Sequence, residues 1–115
     1  MRNEPLLSFT SKFFMDRGYT VEYNLKYEGF SGLLHTFDLL VRKGRMEHIV
    51  FVMNWKRTVG IDTIIKAEKA AEDVDLAHPI IIANKFSEHA KSYSNKKRIT
   101  LMTEREIISK LLETK

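Results

Sequence analysis

The chain has 115 residues, 43% apolar and 30% charged, enough for one hydrophobic core and too apolar for intrinsic disorder. It has no cysteine, which excludes disulfides and thiolate metal sites, and its formal net charge of +4 tilts the expectation toward an anionic partner such as nucleic acid. Glu4, Lys12, Asp16 and Arg17 interrupt the apolar N-terminal stretch and no run approaches the length of a membrane span, so the sequence reads as one cytoplasmic domain over residues 1–115 with no membrane partner.

In chain order, Asn3 or Glu4 can cap a first helix with Pro5 at its first position, and Leu6, Leu7, Phe9, Phe13 and Phe14 give that helix an apolar face that Gly18 closes. From Tyr19 to Tyr27, β-branched and aromatic residues alternate with polar ones as in a half-buried strand. Residues 28–32 read as a loop, Thr36 to Val41 as a second strand, Lys43-Gly44-Arg45 as a hairpin turn, and Met46 to Met53 as a third strand apolar on both faces. Asp62 is the expected cap of a helix that turns Ile61, Ile64, Ile65, Ala71 and Val74 inward and Lys66, Glu68, Lys69, Glu72 and Asp73 to water. Pro79 to Ala83 reads as a short buried strand, Ser87 as the cap of a helix with Ala90 and Tyr93 inward, and Ile99 to Met102 as a last strand. Thr103-Glu104-Arg105-Glu106 is a capping box opening a final helix with Ile107, Ile108, Leu111 and Leu112 on one face. An antiparallel meander followed by alternating helices and strands demands an α/β architecture, a mixed sheet with helices on both faces.

Within this frame Asp38 stands out, because it interrupts the apolar run Phe37 to Val41. An unpaired buried carboxylate costs several kcal/mol (roughly, by transfer energetics) or else protonates, so something must solvate it. One solution is a divalent metal shared with an oxygen ligand on the neighbouring strand, with a lysine beside it; Asn54 and Lys56, two residues apart, offer those groups. The other is a hydrogen bond from a backbone amide or from His35.

The order of elements, with Asp38 on the second strand and a polar-x-Lys at the end of the third, resembles the PD-(D/E)xK, or restriction-endonuclease-like, nuclease superfamily. NWKRTVGID leading into a helix, followed by IIIANKFSEHAKSYSNKKRITLMTEREI, is similar to Mrr-type and Holliday-junction-resolvase-related domains of archaea and bacteria, and SGLLHTFD is similar to an SG-x-x-H-x-FD segment of archaeal members. The likeness covers nearly the whole chain. It implies an α-β-β-β-α-β core with a C-terminal α-β-α extension, a DNA substrate, and Mg or Mn as cofactor if the protein is active. In active members the strand-two Asp and a strand-three acid in the pattern Glu-x-Lys bind the metal while the Lys assists phosphodiester hydrolysis. Asp38 matches the first of these, and the remainder aligns in two ways. Either Asn54 and Lys56 replace the acid and the lysine, making Asp38 and Asn54 the metal ligands with Glu4 or Glu22 as an extra acid, or Asn54-Trp55 aligns with the Asn-Trp that follows the family motif. The second alignment needs no gap and puts Phe51 where the acid belongs and Met53 where the lysine belongs, leaving no catalytic centre.

For DNA contact the candidates are Lys56 and Arg57 at the sheet end, Lys85 and Ser87 at a helix start, and Lys96, Lys97 and Arg98 before the last strand, since Lys and Arg displace condensed counterions and helix N-termini hold phosphates. Each has a simpler reading as a solvated loop charge or, for Ser87, a plain cap. Trp55 can stack on a base or pack over the sheet end. His48, His78 and His89 show no metal-ligand spacing. The expectation is therefore a DNA-binding nuclease-fold protein with weak or lost catalysis, pairing as a homodimer on duplex or branched DNA. Its alternatives are a metal-dependent endonuclease using Asp38, Asn54 and Lys56, and a nuclease-derived scaffold for another protein.

Overall fold

The computed structural model describes residues 4–76 and 78–113. The expected cap at Asn3 lies outside the described residues, as does the side chain of Glu4. The elements are α1 (Glu4–Asp16), β1 (Thr20–Glu28), β2 (Leu34–Lys43), β3 (Met46–Met53), α2 (Ile61–Asp73), β4 (Ile80–Ala83), α3 (Glu88–Lys97), β5 (Thr100–Thr103) and α4 (Glu104–Glu113). They form one five-stranded sheet in the order β1-β2-β3-β4-β5, antiparallel across the first two pairings and parallel across the last two. This is an α/β architecture, a mixed sheet with helices on both faces, as the order of elements in the sequence predicts. No helix among the described residues is long and apolar enough to cross a membrane.

Alternation explains why the central strands are apolar throughout. Ile80 and Ile82 join Leu39, Val41, Val50 and Val52 under Leu6, Phe13 and Phe14 of α1 and Ile107 of α4, whereas Ile81 and Ala83 face Ile64 and Ala67 of α2 and Ala90 of α3. Right-handed crossovers that step in one direction along parallel strands place both connecting helices on one side, so α2 and α3 share a face and leave the other to α1 and α4. The β2–β3 turn is a two-residue loop between the paired Lys43 and Met46; Gly44 at its first position has φ of +63°, which a residue with a side chain adopts only with strain.

One helix boundary and two apolar helix positions differ from expectation. α2 starts at Ile61 with Gly60 as N-cap and no side-chain cap, so Asp62 falls in the first turn, where its charge meets the positive end of the helix. The shift has a cause: Val59 pairs with Phe86 in an isolated parallel bridge, which fixes the backbone until Gly60. Leu112, expected inward, is 66% exposed, on a helix whose main neighbours are α1 and β5. Phe9 likewise stands at the rim of the α1 face, 37% exposed.

Two expected caps are present. The Thr103 hydroxyl accepts from the Glu106 N–H at 3.1 Å while the Glu106 carboxylate accepts from the Thr103 N–H at 2.8 Å, completing the capping box. Ser87 Oγ accepts from the Ala90 N–H at 3.0 Å. Ser87→Ala is expected to cost about 1 kcal/mol, read in urea unfolding as a lower midpoint at unchanged m-value.

Candidate nucleic-acid interface and nuclease centre

Asn24 and Asp38 mark a kink shared by β1 and β2. Strict alternation would place Phe37 on the same face as Leu39, but Leu39 packs toward α1 and α4 while Phe37 and Leu40 pack with Ala70 and Val74 on the α2 side. On β1, Tyr23 reaches Ser11 of α1 through its hydroxyl while Leu25 packs on the α2 side, and Asn24 between them has φ of +51°. The face therefore switches in both strands at one level, and the far half of the hairpin bends over α2. Asn24, a poor strand former in an otherwise alternating run, is the sequence signal for the kink.

The kink turns Asp38 sideways, toward β3. Ladder pairing between β2 and β3 stops at Leu39↔Val50, and beyond it the Asp38 carboxylate takes over, Oδ2 accepting the Val52 N–H at 2.7 Å. The buried acid is thus satisfied by a backbone amide, one of the two solutions open from sequence. Burial pushes its pKa up from the ordinary carboxylate value, with the Val52 hydrogen bond opposing part of that shift. The unfolded chain holds the lower pKa, so folding stability declines as pH rises from about the ordinary Asp value through the raised one, and the cost persists at neutral pH. Asp38→Asn keeps an acceptor for Val52 and cannot ionise. It is expected to gain thermal stability over the native chain at neutral pH and to lose that advantage below the carboxylate range; parallel melting curves across pH would contradict this.

On either side of Val52, Phe51 and Met53 pack into the core beneath α2 and α3, and the Phe51 ring meets Phe37 edge-on at 5.6 Å. Asn54 follows directly after β3, and Lys56 and Arg57 are exposed in the bend beyond it. The Arg57 guanidinium lies 4.3 Å from the centre of the Trp55 ring, and Trp55 packs on the α2–α3 side, covering the sheet end as the simpler reading expected.

Parallel pairing decides which candidates meet. Met53 pairs with Ala83, so residues 54–57 and 84–87 leave the sheet at the same end. Two contacts tie these loops: Asn84 Nδ2 donates to the Trp55 carbonyl at 2.8 Å, and the Val59 N–H donates to the Lys85 carbonyl at 2.8 Å. Lys56, Arg57 and exposed Lys85 therefore share one edge with Asp38, Asn54 and Ser87. Lys96, Lys97 and Arg98 do not join them. They end α3, roughly 15 Å along its ten residues from Ser87, and cations there suit the negative end of the helix.

His35 and Glu22 point elsewhere. Glu22 is paired with Arg42. His35 Nε2 is 2.7 Å from Asp73 Oδ2, and Asp73 also accepts from the Ser31 N–H at 2.9 Å and the Ser31 hydroxyl at 2.6 Å. Asp73, expected to face water, instead clamps the β1–β2 loop to α2, and its carboxyl is held below the ordinary range by the Ser31 and then the His35 hydrogen bonds. Sequence reasoning missed Asp73 and Asn84 because both act across segments distant in the chain.

A hard divalent cation is held mainly by carboxylate oxygens. Asp38 is a single acid with one oxygen committed to Val52, Phe51 and Met53 beside it offer no oxygen, and no group of three His, Cys, Asp or Glu side chains converges among the described residues. Among the described residues, the donors beside Asp38 do not fit a carboxylate-rich metal centre.

Residues 1–111 match the family model Mrr_cat, described as restriction endonuclease. Among curated proteins none matches the chain. Among solved structures, the protein of unknown function AF1548 superposes with a TM-score of 0.81 at 19% identity, over 95% of this chain and 65% of that one. A complex of EndoMS with double-stranded DNA gives 0.62 at 16% identity, over 88% and 42% of the two chains. A repair endonuclease from Pyrococcus abyssi gives 0.58 at 15% identity, over 88% and 45%. At these identities the likeness is one of fold, and the chain spans 65% or less of the length of each of the three structures. By its matched family, the chain belongs to the Mrr-type restriction endonucleases, with their PD-(D/E)xK-like fold.

Proposed function

We propose that this chain is a DNA-binding member of the family whose hydrolytic centre is lost. Restriction-endonuclease-like domains usually use divalent metals. Here the observation that carries the reading is the pair flanking Val52: beside the Asp38 carboxylate, the positions that align with the family's acid and lysine hold Phe51 and Met53, both packed into the core. DNA contact falls to Lys56, Arg57 and Lys85 on the same sheet end, with Ser87 at the helix start behind them and Lys96, Lys97 and Arg98 as a second contact at the opposite end. The reading takes the chain as one cytoplasmic domain that pairs as a homodimer to span duplex or branched DNA, as symmetric oligomers commonly do. The DNA complex of the EndoMS relative supports nucleic acid as the partner class.

Binding of labelled duplex and four-way-junction DNA across a salt series tests it. Affinity that falls steeply with salt is expected, because phosphate contacts release counterions; no binding at low ionic strength would end the reading. A rival keeps endonuclease activity with Asp38, Asn54 and Lys56 and Mg or Mn as cofactor, and what favours it is that these residues stand at one sheet end.

A further inference from the structure

Trp55 is the chain's single tryptophan, and it is fixed from two sides. Its carbonyl accepts from Asn84 Nδ2 at 2.8 Å, and its half-buried ring packs against the apolar cluster that includes Val59, Ile64, Phe86 and Ala90. Two residues on, the chain bends and the Arg57 guanidinium comes back over the ring, 4.3 Å from its centre. A ring anchored in this way covers the sheet end without help from Arg57, so the contact constrains the arginine more than the tryptophan.

Arg57 is exposed, and it makes no hydrogen bond or ion pair with another described residue. Arg42, by contrast, is committed to Glu22 and Glu47. Of the carboxylates in the first turns of α2 and α3, Glu88 is paired with Lys91 at 3.3 Å and Asp62 forms no ion pair with Arg57. A guanidinium over an aromatic face gives up no donor, because its N–H groups lie around its edge in a fork that matches two oxygens of a phosphate. Held by the ring, it also loses less conformational freedom on binding than a free side chain does. Lysine offers neither property, being a strongly hydrated point charge on a flexible stem. Lys56 and Lys85 supply charge of that kind on the same edge.

We propose that Trp55 is a positioning residue for nucleic acid: its ring presents the Arg57 guanidinium so that the fork takes one backbone phosphate bidentately, an oriented contact beside the unoriented ones of Lys56 and Lys85. This rests on the reading of the edge as a DNA interface.

Titration of labelled duplex DNA at one moderate salt concentration tests it. R57K keeps the charge and is expected to lose about tenfold in affinity, nearly as much as R57A. W55L should lose a similar amount and W55F less, and W55L/R57A should lose no more than R57A, since residues that act as a unit are not additive. Because Arg57 is exposed, R57K leaves the fold intact and decides the matter even where W55L unfolds. Tryptophan emission gives a reading without DNA: acrylamide should quench R57A more than the native chain, because a ring face is uncovered. R57K at native affinity, W55F as weak as W55L, additive losses in the double variant, or equal acrylamide quenching would overturn the positioning role and leave the DNA reading standing. Strong quenching of Trp55 emission by bound DNA would overturn it too, by placing a base on the ring where the guanidinium lies. No binding by the native chain at low ionic strength would end the DNA reading and this proposal with it.

Discussion

Reversing the charges of Lys56, Arg57 and Lys85 together is expected to lower DNA affinity on the order of a hundredfold at moderate salt. The expectation follows from the strand order. β3 and β4 are parallel neighbours, so the segments after Met53 and Ala83 emerge side by side, and the Asn84 and Val59 contacts hold them together. Three cations on one rigid edge release counterions as a unit. Each lost phosphate contact reduces the salt slope by about one, so the slope should fall as cations are removed one at a time. The same reversal at Lys96, Lys97 and Arg98 removes a contact at the other end of the sheet, and its effect should add to the first, because distant sites are independent. A charge-reversed triple variant that binds with native affinity and native salt slope would remove this edge from the interface.

Gly29→Ala should be the most damaging single-methyl change in the loop. The added carbon would stand 2.0 Å from Asp73 Oδ2 and 2.8 Å from the Asp73 carbonyl oxygen, and the second is backbone that cannot swing aside. Relief requires the loop to leave α2, which breaks the Ser31 and His35 bonds to Asp73 together. Overpacking with loss of a polar network is expected to cost about 2–3 kcal/mol, or on the order of 10 °C in melting temperature for a chain this size. Gly32→Ala nearby is a useful contrast: its Cβ would meet nothing within 4 Å, and only its φ of +89° opposes the change.

The fold was legible from the sequence because its signals are local. Period-2 and helical patterns, the Gly44 turn, the Ser87 cap and the Thr103–Glu106 box each lie within a few residues, and together they order the elements correctly. Asp38 was legible as well, since a carboxylate in an apolar run must be solvated. Its actual partner, the Val52 N–H, was not, because a side chain standing in for a missing strand pairing leaves no mark in residue type. SGLLHTFD contains both halves of what followed: Phe37 and Asp38 serve the kink, while Ser31 and His35 serve a clamp whose third member lies about forty positions on, at separations of 42 and 38 residues. Helix periodicity assigned Asp73 to water, and that failed because the bent hairpin covers a face of α2 that an unkinked sheet would leave open.

Binding and cutting separate most directly when labelled duplex and four-way-junction DNA are incubated with the chain in Mg or Mn and the same samples are run on native and denaturing gels. The account predicts DNA that is retarded on the native gel and intact on the denaturing gel, because Phe51 and Met53 stand beside Asp38 in place of an acid and a lysine. Cleavage by the native chain that disappears in both Asp38→Ala and Lys56→Ala would contradict it and assign the centre to Asp38, Asn54 and Lys56.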